Sequence, residues 1–323
     1  MTPEKNCRIV LLKSTDLTHW DYCASLAEST DSLGGMWECP DFFPLDGKQV
    51  MLASPIAMEP DDDEFHAGHN TIALIGDYHP DAYEFSPEEM RQIDNGIDFY
   101  APQTMLTPDG RRVMIGWMQD WPNSKFVPPG VKYFGQLSLP RELRIRDEKL
   151  IQEPVRELLA HRRNPIILKE VKIHEDHASD STMSIFDGVS RQTSLPGIEG
   201  RLIDMTVTIK DTSKLRKLDI RVASNKKWHT DVSYIPKRNL IRMDRSHSGY
   251  LFDIVHSRDI QIRSTGKELT IRFIMDRYSL EMFINGGERT GTVALFTPQE
   301  AKGISFSSEG ETVVDIEKYD LVF

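Results

Sequence analysis

Apolar and polar side chains alternate along most of this chain in short runs separated by turn-forming residues, the period of half-buried β-strands. Arg8-Ile9-Val10-Leu11-Leu12-Lys13-Ser14 is the first such run, and a turn at Ser14-Thr15-Asp16 followed by Trp20-Asp21-Tyr22 predicts a hairpin. Phe42-Phe43-Pro44-Leu45 and Gln49-Val50-Met51-Leu52-Ala53-Ser54 flank Asp46-Gly47, a dipeptide that supplies the positive φ of a tight hairpin turn. Strands are also predicted at Thr71–Tyr78 and from Arg112 to Trp121, the latter with an aromatic-rich exit, and a short charged helix or turn at Ser86-Pro87-Glu88-Glu89. Helical spacing is convincing only from Gln152 to Asn164, and alternation returns at Leu202–Ile209, Leu218–Val222 and Leu269–Asp276. The pattern predicts an all-β protein with one domain over residues 1–152, a linker helix over 153–166 and a second domain over 167–323. For the first domain, periodicity accommodates either sheets set radially about an axis or a sandwich. The second reads as antiparallel sheets with one wet face, a β-sandwich.

The 323 residues are enough for two cored domains. Asp and Glu outnumber Lys and Arg by 50 to 39, a net charge of −11, which argues against nucleic acid and anionic membranes as partners and suits a neutral ligand. No apolar run is long enough to cross a bilayer, and Met1-Thr2-Pro3-Glu4-Lys5-Asn6 has no signal-peptide core, so a cytoplasmic location is expected. Cys7, Cys23 and Cys39 are odd in number and lack CxxC spacing, indicating neither a disulfide framework nor a zinc site. The acidic run from Glu59 to Glu64 lacks the alternating ligand spacing of a calcium loop, and His66 and His69 have no third ligand in sequence. No metal and no cofactor is expected.

Candidate chemistry centres on Gly34-Gly35-Met36-Trp37-Glu38-Cys39-Pro40-Asp41. Glu38 sits between an indole and a thiol, and Pro40 keeps the segment from continuing as an inner strand or a helix. Apolar walls favour the protonated form of a carboxyl, which can then give its proton to a leaving group. Composition alone favours a strand-end Glu beside core aromatics.

The string Trp37-Glu38-Cys39-Pro40-Asp41 resembles the acid/base motif of glycoside hydrolase family 32, the invertases, levanases and sucrose-6-phosphate hydrolases. Further motifs follow in the family's order. Asp94-Asn95-Gly96-Ile97-Asp98-Phe99-Tyr100-Ala101-Pro102-Gln103-Thr104 is similar to its "Asp-x-Gly-x-Asp-Phe-Tyr-Ala-Pro-Gln-Thr" signature, Gly116-Trp117-Met118-Gln119 to its pocket-rim segment, and Pro140-Arg141-Glu142-Leu143 to its "Pro-Arg-Glu-Leu" strand. The resemblance implies the last blades of a five-bladed β-propeller followed by a C-terminal β-sandwich. It also implies roles: Glu38 as general acid/base, Trp37 and Cys39 flanking it in the pocket, Asp94, Asp98 and Tyr100 lining the pocket or orienting the acid, and Trp117 stacking on a sugar face. Arg141 and Glu142 read as a structural pair satisfying itself within a strand.

Relatives attack the anomeric carbon with the Asp of a "Trp-Met-Asn-Asp-Pro-Asn-Gly" motif on the first blade and hold sugar hydroxyls with the Asp of an "Arg-Asp-Pro" motif on the second. Neither string occurs here. By this resemblance the chain starts inside blade two, keeps three blades and the sandwich, and exposes an open propeller edge. Two functional readings follow. The first is the acid half of a retaining β-fructofuranosidase acting on sucrose, sucrose 6-phosphate or a fructan, inactive by itself. The second is a non-catalytic carbohydrate-binding or assembly module. The expected partners are a fructose-containing sugar and, through the open edge, another copy or the missing N-terminal segment.

Overall fold

The computed structural model describes residues 7–61, 64–119, 121, 124, 127, 131–132, 135–173, 192–249, 254–262 and 268–323. Of Lys125 and Lys132, the basic residues that the sequence offers a phosphate in the loop after Trp121, Lys125 lies outside them, as do Asp62 and Asp63 of the acidic run. The chain divides into two compact units at residues 155 and 156.

The first unit is three antiparallel sheets. Strands β1 (Arg8–Lys13) and β2 (Asp21–Glu28) form the expected hairpin. Strands β3 (Met36–Leu45), β4 (Lys48–Ile56), β5 (Ile72–His79) and β6 (Glu84–Gln92) make a four-stranded sheet in sequence order. Strands β7 (Tyr100–Leu106), β8 (Arg112–Trp117), β9 (Arg141–Arg146) and β10 (Lys149–Pro154) make another. The three expected blades are thus two four-stranded sheets and a two-stranded one.

Strand β4 shows what holds them. Val50 and Leu52 join Phe43, Ile93, Phe99, Met114 and Leu143 in a core toward the β7–β10 sheet, while Met51 and Ala53 join Ile9, Leu26, Trp37 and Phe85 toward the hairpin. A strand buried on both faces reads as a continuous apolar run, which is why alternation fades there. Asp46 and Gly47 turn β3 into β4 with φ of 47° and 86°, the two positive values a two-residue hairpin needs.

Two local expectations are corrected. Residues 86–89 belong to strand β6, not a helix or turn. Pro87 is tolerated because β6 is an edge strand with a register shift opposite Gly76, where a Cβ would stand 2.0 Å from the Ser86 carbonyl oxygen. The linker helix expected at 153–166 shrinks to a short 3₁₀ segment, Arg156–His161: Pro154 ends β10, and strand β11 (Arg162–Ile173) begins at once. A helix that short is marginal by itself, and pairing with β21 (Thr312–Leu321) draws the chain into extended form.

In the second unit β11 and β21 lie in a six-stranded sheet with β12 (Ile203–Ile209), β17 (Leu269–Met275), β18 (Ser279–Ile284) and β19 (Arg289–Ala294). A five-stranded sheet comprises β13 (Leu215–Ser224), β14 (Thr230–Ile235), β15 (Leu240–Asp244), β16 (Ser257–Gln261) and β20 (Gly303–Gly310). The sheets pack closely: a Cβ on Gly291 of β19 would stand 2.5 Å from Ile260 and 2.9 Å from Met243 of the other sheet.

Candidate active site

Glu38 and Tyr100 are brought together by two matching bulges. In β3 one extra residue enters between Glu38, opposite Ser54, and Asp41, opposite Leu52, with Cys39 left-handed at φ 49°. In β7 one extra residue enters between Tyr100, opposite Trp117, and Gln103, opposite Ile115, with Ala101 at φ 50°. A bulge re-aims the side chains around it and inverts the alternation beyond it. Trp37 and Phe43 accordingly face opposite cores although six residues apart, and Glu38 faces away from Trp37, toward Tyr100.

Side chains of β7 clamp the bulge of β3. The Tyr100 hydroxyl lies 3.0 Å from Glu38 Oε2 and 3.0 Å from the Ser54 carbonyl oxygen. Gln103 Nε2 donates to the Cys39 carbonyl at 3.0 Å, and the backbone N–H and hydroxyl of Thr104 both donate to Asp41 Oδ2 at 2.7 Å. Tyr100 has one proton for two acceptors, which suits a carboxyl that changes state. With Glu38 ionised the phenol donates to it; with Glu38 protonated the carboxyl donates to the phenol oxygen while the phenol donates to Ser54. Burial, then the hydrogen bond and charge of Glu38, push the Tyr100 phenol far above its ordinary range, so it stays neutral throughout.

Because the native state holds that proton and unfolded tyrosine releases it near pH 10, stability is lost as pH rises above about 10, at up to about 1.4 kcal/mol per pH unit. Tyr100→Phe is expected to cost about 1–3 kcal/mol at pH 7 by removing the buried hydroxyl's bonds to the Ser54 carbonyl and Glu38. The gap from the parent should narrow between pH 9 and pH 11. Urea midpoints at both pH values check this; parallel shifts would contradict it.

His69 completes the cluster; the sequence marks it only as an imidazole in a loop, short of the partners a metal would need. Its ring meets Tyr100 edge-on with centroids 5.6 Å apart, and burial holds its imidazole below the ordinary range although Glu38 opposes this. Its loop is fixed by Gln92 Nε2, which donates to His66 Nδ1 at 2.8 Å, and by Asn70 Nδ2, which donates to the His66 carbonyl at 2.8 Å. Among the described residues no group of three or more His, Cys, Asp or Glu side chains is gathered as metal ligands.

Two of the expected pocket residues lie elsewhere. Trp37 is buried in the core shared with the hairpin, its Nε1 donating to the Leu33 carbonyl at 2.8 Å. Strand alternation explains this, since the neighbour of a site-facing residue must face away. Asp94 is buried, its Oδ2 accepting from Arg141 Nη1 at 2.9 Å and its Oδ1 from the Gly96 N–H at 2.9 Å. Arg141, itself without exposed surface, also donates to Gln152 and stacks on Phe99 at 4.6 Å. Asp94 is therefore the counter-ion of Arg141, and Glu142 pairs instead with Arg111 at 2.9 Å, so the expected Arg141–Glu142 pair is also corrected. Asp98 is wholly buried and engaged within the protein. Cys39 is exposed beside Glu38, with its thiol raised by desolvation first and Glu38 second. Trp117, partly buried, shares a face with Tyr100 and meets Trp121 edge-on at 5.3 Å.

Known proteins resemble this chain in sequence and fold. The profile of the Glycosyl hydrolases family 32 N-terminal domain matches residues 2–154, and that of the Glycosyl hydrolases family 32 C terminal matches residues 159–321. The sucrose-6-phosphate hydrolase of Staphylococcus xylosus is 28% identical over 319 residues, covering 98% of this chain and 61% of that protein. The raffinose invertase of Escherichia coli is 29% identical over 318 residues, covering 96% and 60%. Among solved structures, a β-fructofuranosidase from Bombyx mori superposes with a TM-score of 0.75 at 24% identity, covering 98% of this chain and 61% of its own. The chain spans about three-fifths of the length of these relatives.

Proposed function

The chain belongs to glycosyl hydrolase family 32, and on that premise we propose that it supplies the proton-donating half of a retaining β-fructofuranosidase site. Glu38 would protonate the glycosidic oxygen of a terminal β-fructofuranosyl bond. The same side chain, as base, would then take a proton from the water that releases the fructosyl group. Tyr100 would hold it through both states, and Trp117 would flank the sugar. The observation that carries this reading is the hydroxyl of Tyr100 set between Glu38 and the Ser54 carbonyl.

Retention requires a second carboxyl about 5–5.5 Å from the acid. The relatives' nucleophile string does not occur in this sequence, so in this proposal the nucleophile comes from the part of the relatives' length that this chain does not span. The hairpin offers that part a place to pack: Val10, Leu12, Trp20 and Tyr22 are 46%, 44%, 54% and 63% exposed. Sucrose and sucrose 6-phosphate are the substrates that the relatives' names favour, with fructans as the wider class.

The test is co-expression with the N-terminal segment of the Staphylococcus xylosus relative, followed by fructose release from sucrose and the anomeric configuration of the first product by NMR. Release with retention in the combined protein, and none from the chain alone, is expected. Cleavage by residues 1–323 alone at a rate abolished by Glu38→Gln would overturn the two-part reading. The absence of a nucleophile string also favours the second reading, a sugar-binding module, which predicts sucrose binding without turnover in both preparations.

A further inference from the structure

The outer face of the five-stranded sheet in the second unit carries a cavity of about 460 Å³, within the range of small-molecule sites. Its floor follows from strand register. Asp219 of β13, Ser233 of β14 and Arg242 of β15 form one cross-strand row, and Arg221, Asp231 and Asp244 form the next. Ile220, Val232 and Met243, between the rows, point inward and are buried. At one end His229 and His247 stack with ring centroids 4.8 Å apart and planes at 9°.

The charges disfavour an anionic ligand. Arg221 makes two bonds to Asp231, at 2.9 and 3.1 Å, and Arg242 two to Asp259, at 2.6 and 2.7 Å. Lys217 lies 2.9 Å from Asp219. Every cation lining the cavity already has a carboxylate partner, so an anion would find no unneutralised charge. Hydrogen-bonding capacity remains nonetheless. The two fork bonds fix each guanidinium and leave Nη1 of Arg221 and of Arg242 without a partner among the described residues. Asp244 takes the Ser246 N–H on Oδ1 at 2.8 Å and leaves Oδ2 open. Fixed donors beside an open carboxylate oxygen match adjacent hydroxyls, each of which both donates and accepts. The flat histidine pair offers a ring face for C–H groups, and burial keeps the His229 imidazole below its ordinary range and hence neutral.

We propose that this face is a second binding site, separate from Glu38, for a neutral sugar ring bearing adjacent hydroxyls. It does not rest on the role assigned to Glu38. The experiment is titration of the 323-residue protein with sucrose, with inulin oligosaccharides and with inorganic phosphate, followed by the imidazole NMR signals of His229 and His247. Asp244→Asn keeps an oxygen for the Ser246 N–H but replaces the open acceptor with a donor, and His247→Ala removes an exposed ring. Both are expected to leave folding intact and to weaken sugar binding about tenfold or more, a loss of about 1.4 kcal/mol or more, while Glu38→Gln leaves these shifts unchanged. Three outcomes would overturn the proposal: no response at sugar concentrations that saturate a millimolar site, loss of the response with Glu38→Gln but not with Asp244→Asn, or a stronger response to phosphate than to sugar.

Discussion

Arg141→Met is expected to lower the stability of the chain by about 3–5 kcal/mol, because it strands a buried carboxylate whose counter-ion has gone. Arg141 has no exposed surface, and its bond to Asp94 joins the start of β9 to the loop before β7 across 47 residues of sequence. Asp94→Asn should be costly for the mirror-image reason, leaving a guanidinium in the core with its charge uncompensated. Replacing both, as in Arg141→Met with Asp94→Leu, should recover much of the loss, since an apolar pair of similar volume avoids the desolvation of two ions. Urea midpoints of the three variants measure the series. An unchanged midpoint for Asp94→Asn with weakened sugar binding would return Asp94 to the pocket wall first expected of it.

The largest effect on activity is expected at Glu38. In the protein completed with the relative's N-terminal segment, Glu38→Gln should lower sucrose cleavage by about 10²–10⁴-fold, the range of a positioned proton donor. A fructoside with an acidic phenol as leaving group needs little protonation, so its first step should be much less affected. Its second step, which uses the same residue as base, should still be slow, and fructosyl-enzyme should accumulate as a burst. Equal losses on sucrose and on the phenolic substrate, without a burst, would mean that Glu38 holds the sugar rather than moving a proton.

What the sequence disclosed follows from where the controlling contacts lie. The hairpins were legible because alternation and Asp46-Gly47 are local signals. Glu38, Tyr100 and Trp117 stood out through their motifs, and the structure places Glu38 against Tyr100, with Trp117 opposite Tyr100 in register. The orientation of Trp37 was not legible, since a motif names neighbours without saying which of two buried faces each takes. Nor was the partner of Asp94, which is set by pairing between β9 and the loop before β7. His69 gave no signal beyond an imidazole in a loop; its place beside Tyr100 depends on Gln92 and Asn70. The helix expected near residue 156 gave way to a partner strand that ends the chain more than a hundred residues later.

The clamp between β3 and β7 has a bearing on how such proteins can be recombined. Glu38 belongs to one sheet, and the hydroxyl that holds it belongs to the next; Asp41 and the Cys39 carbonyl are gripped from that same neighbour. The smallest heritable piece of this site is therefore a pair of adjacent sheets. A crossover between β6 and β7 would join an acid to a stranger's tyrosine, with the two bulges free to differ in rank. Chimaeras whose breakpoints fall before Met36 or after Trp117 keep both bulges from one parent, and only those inherit the geometry whole.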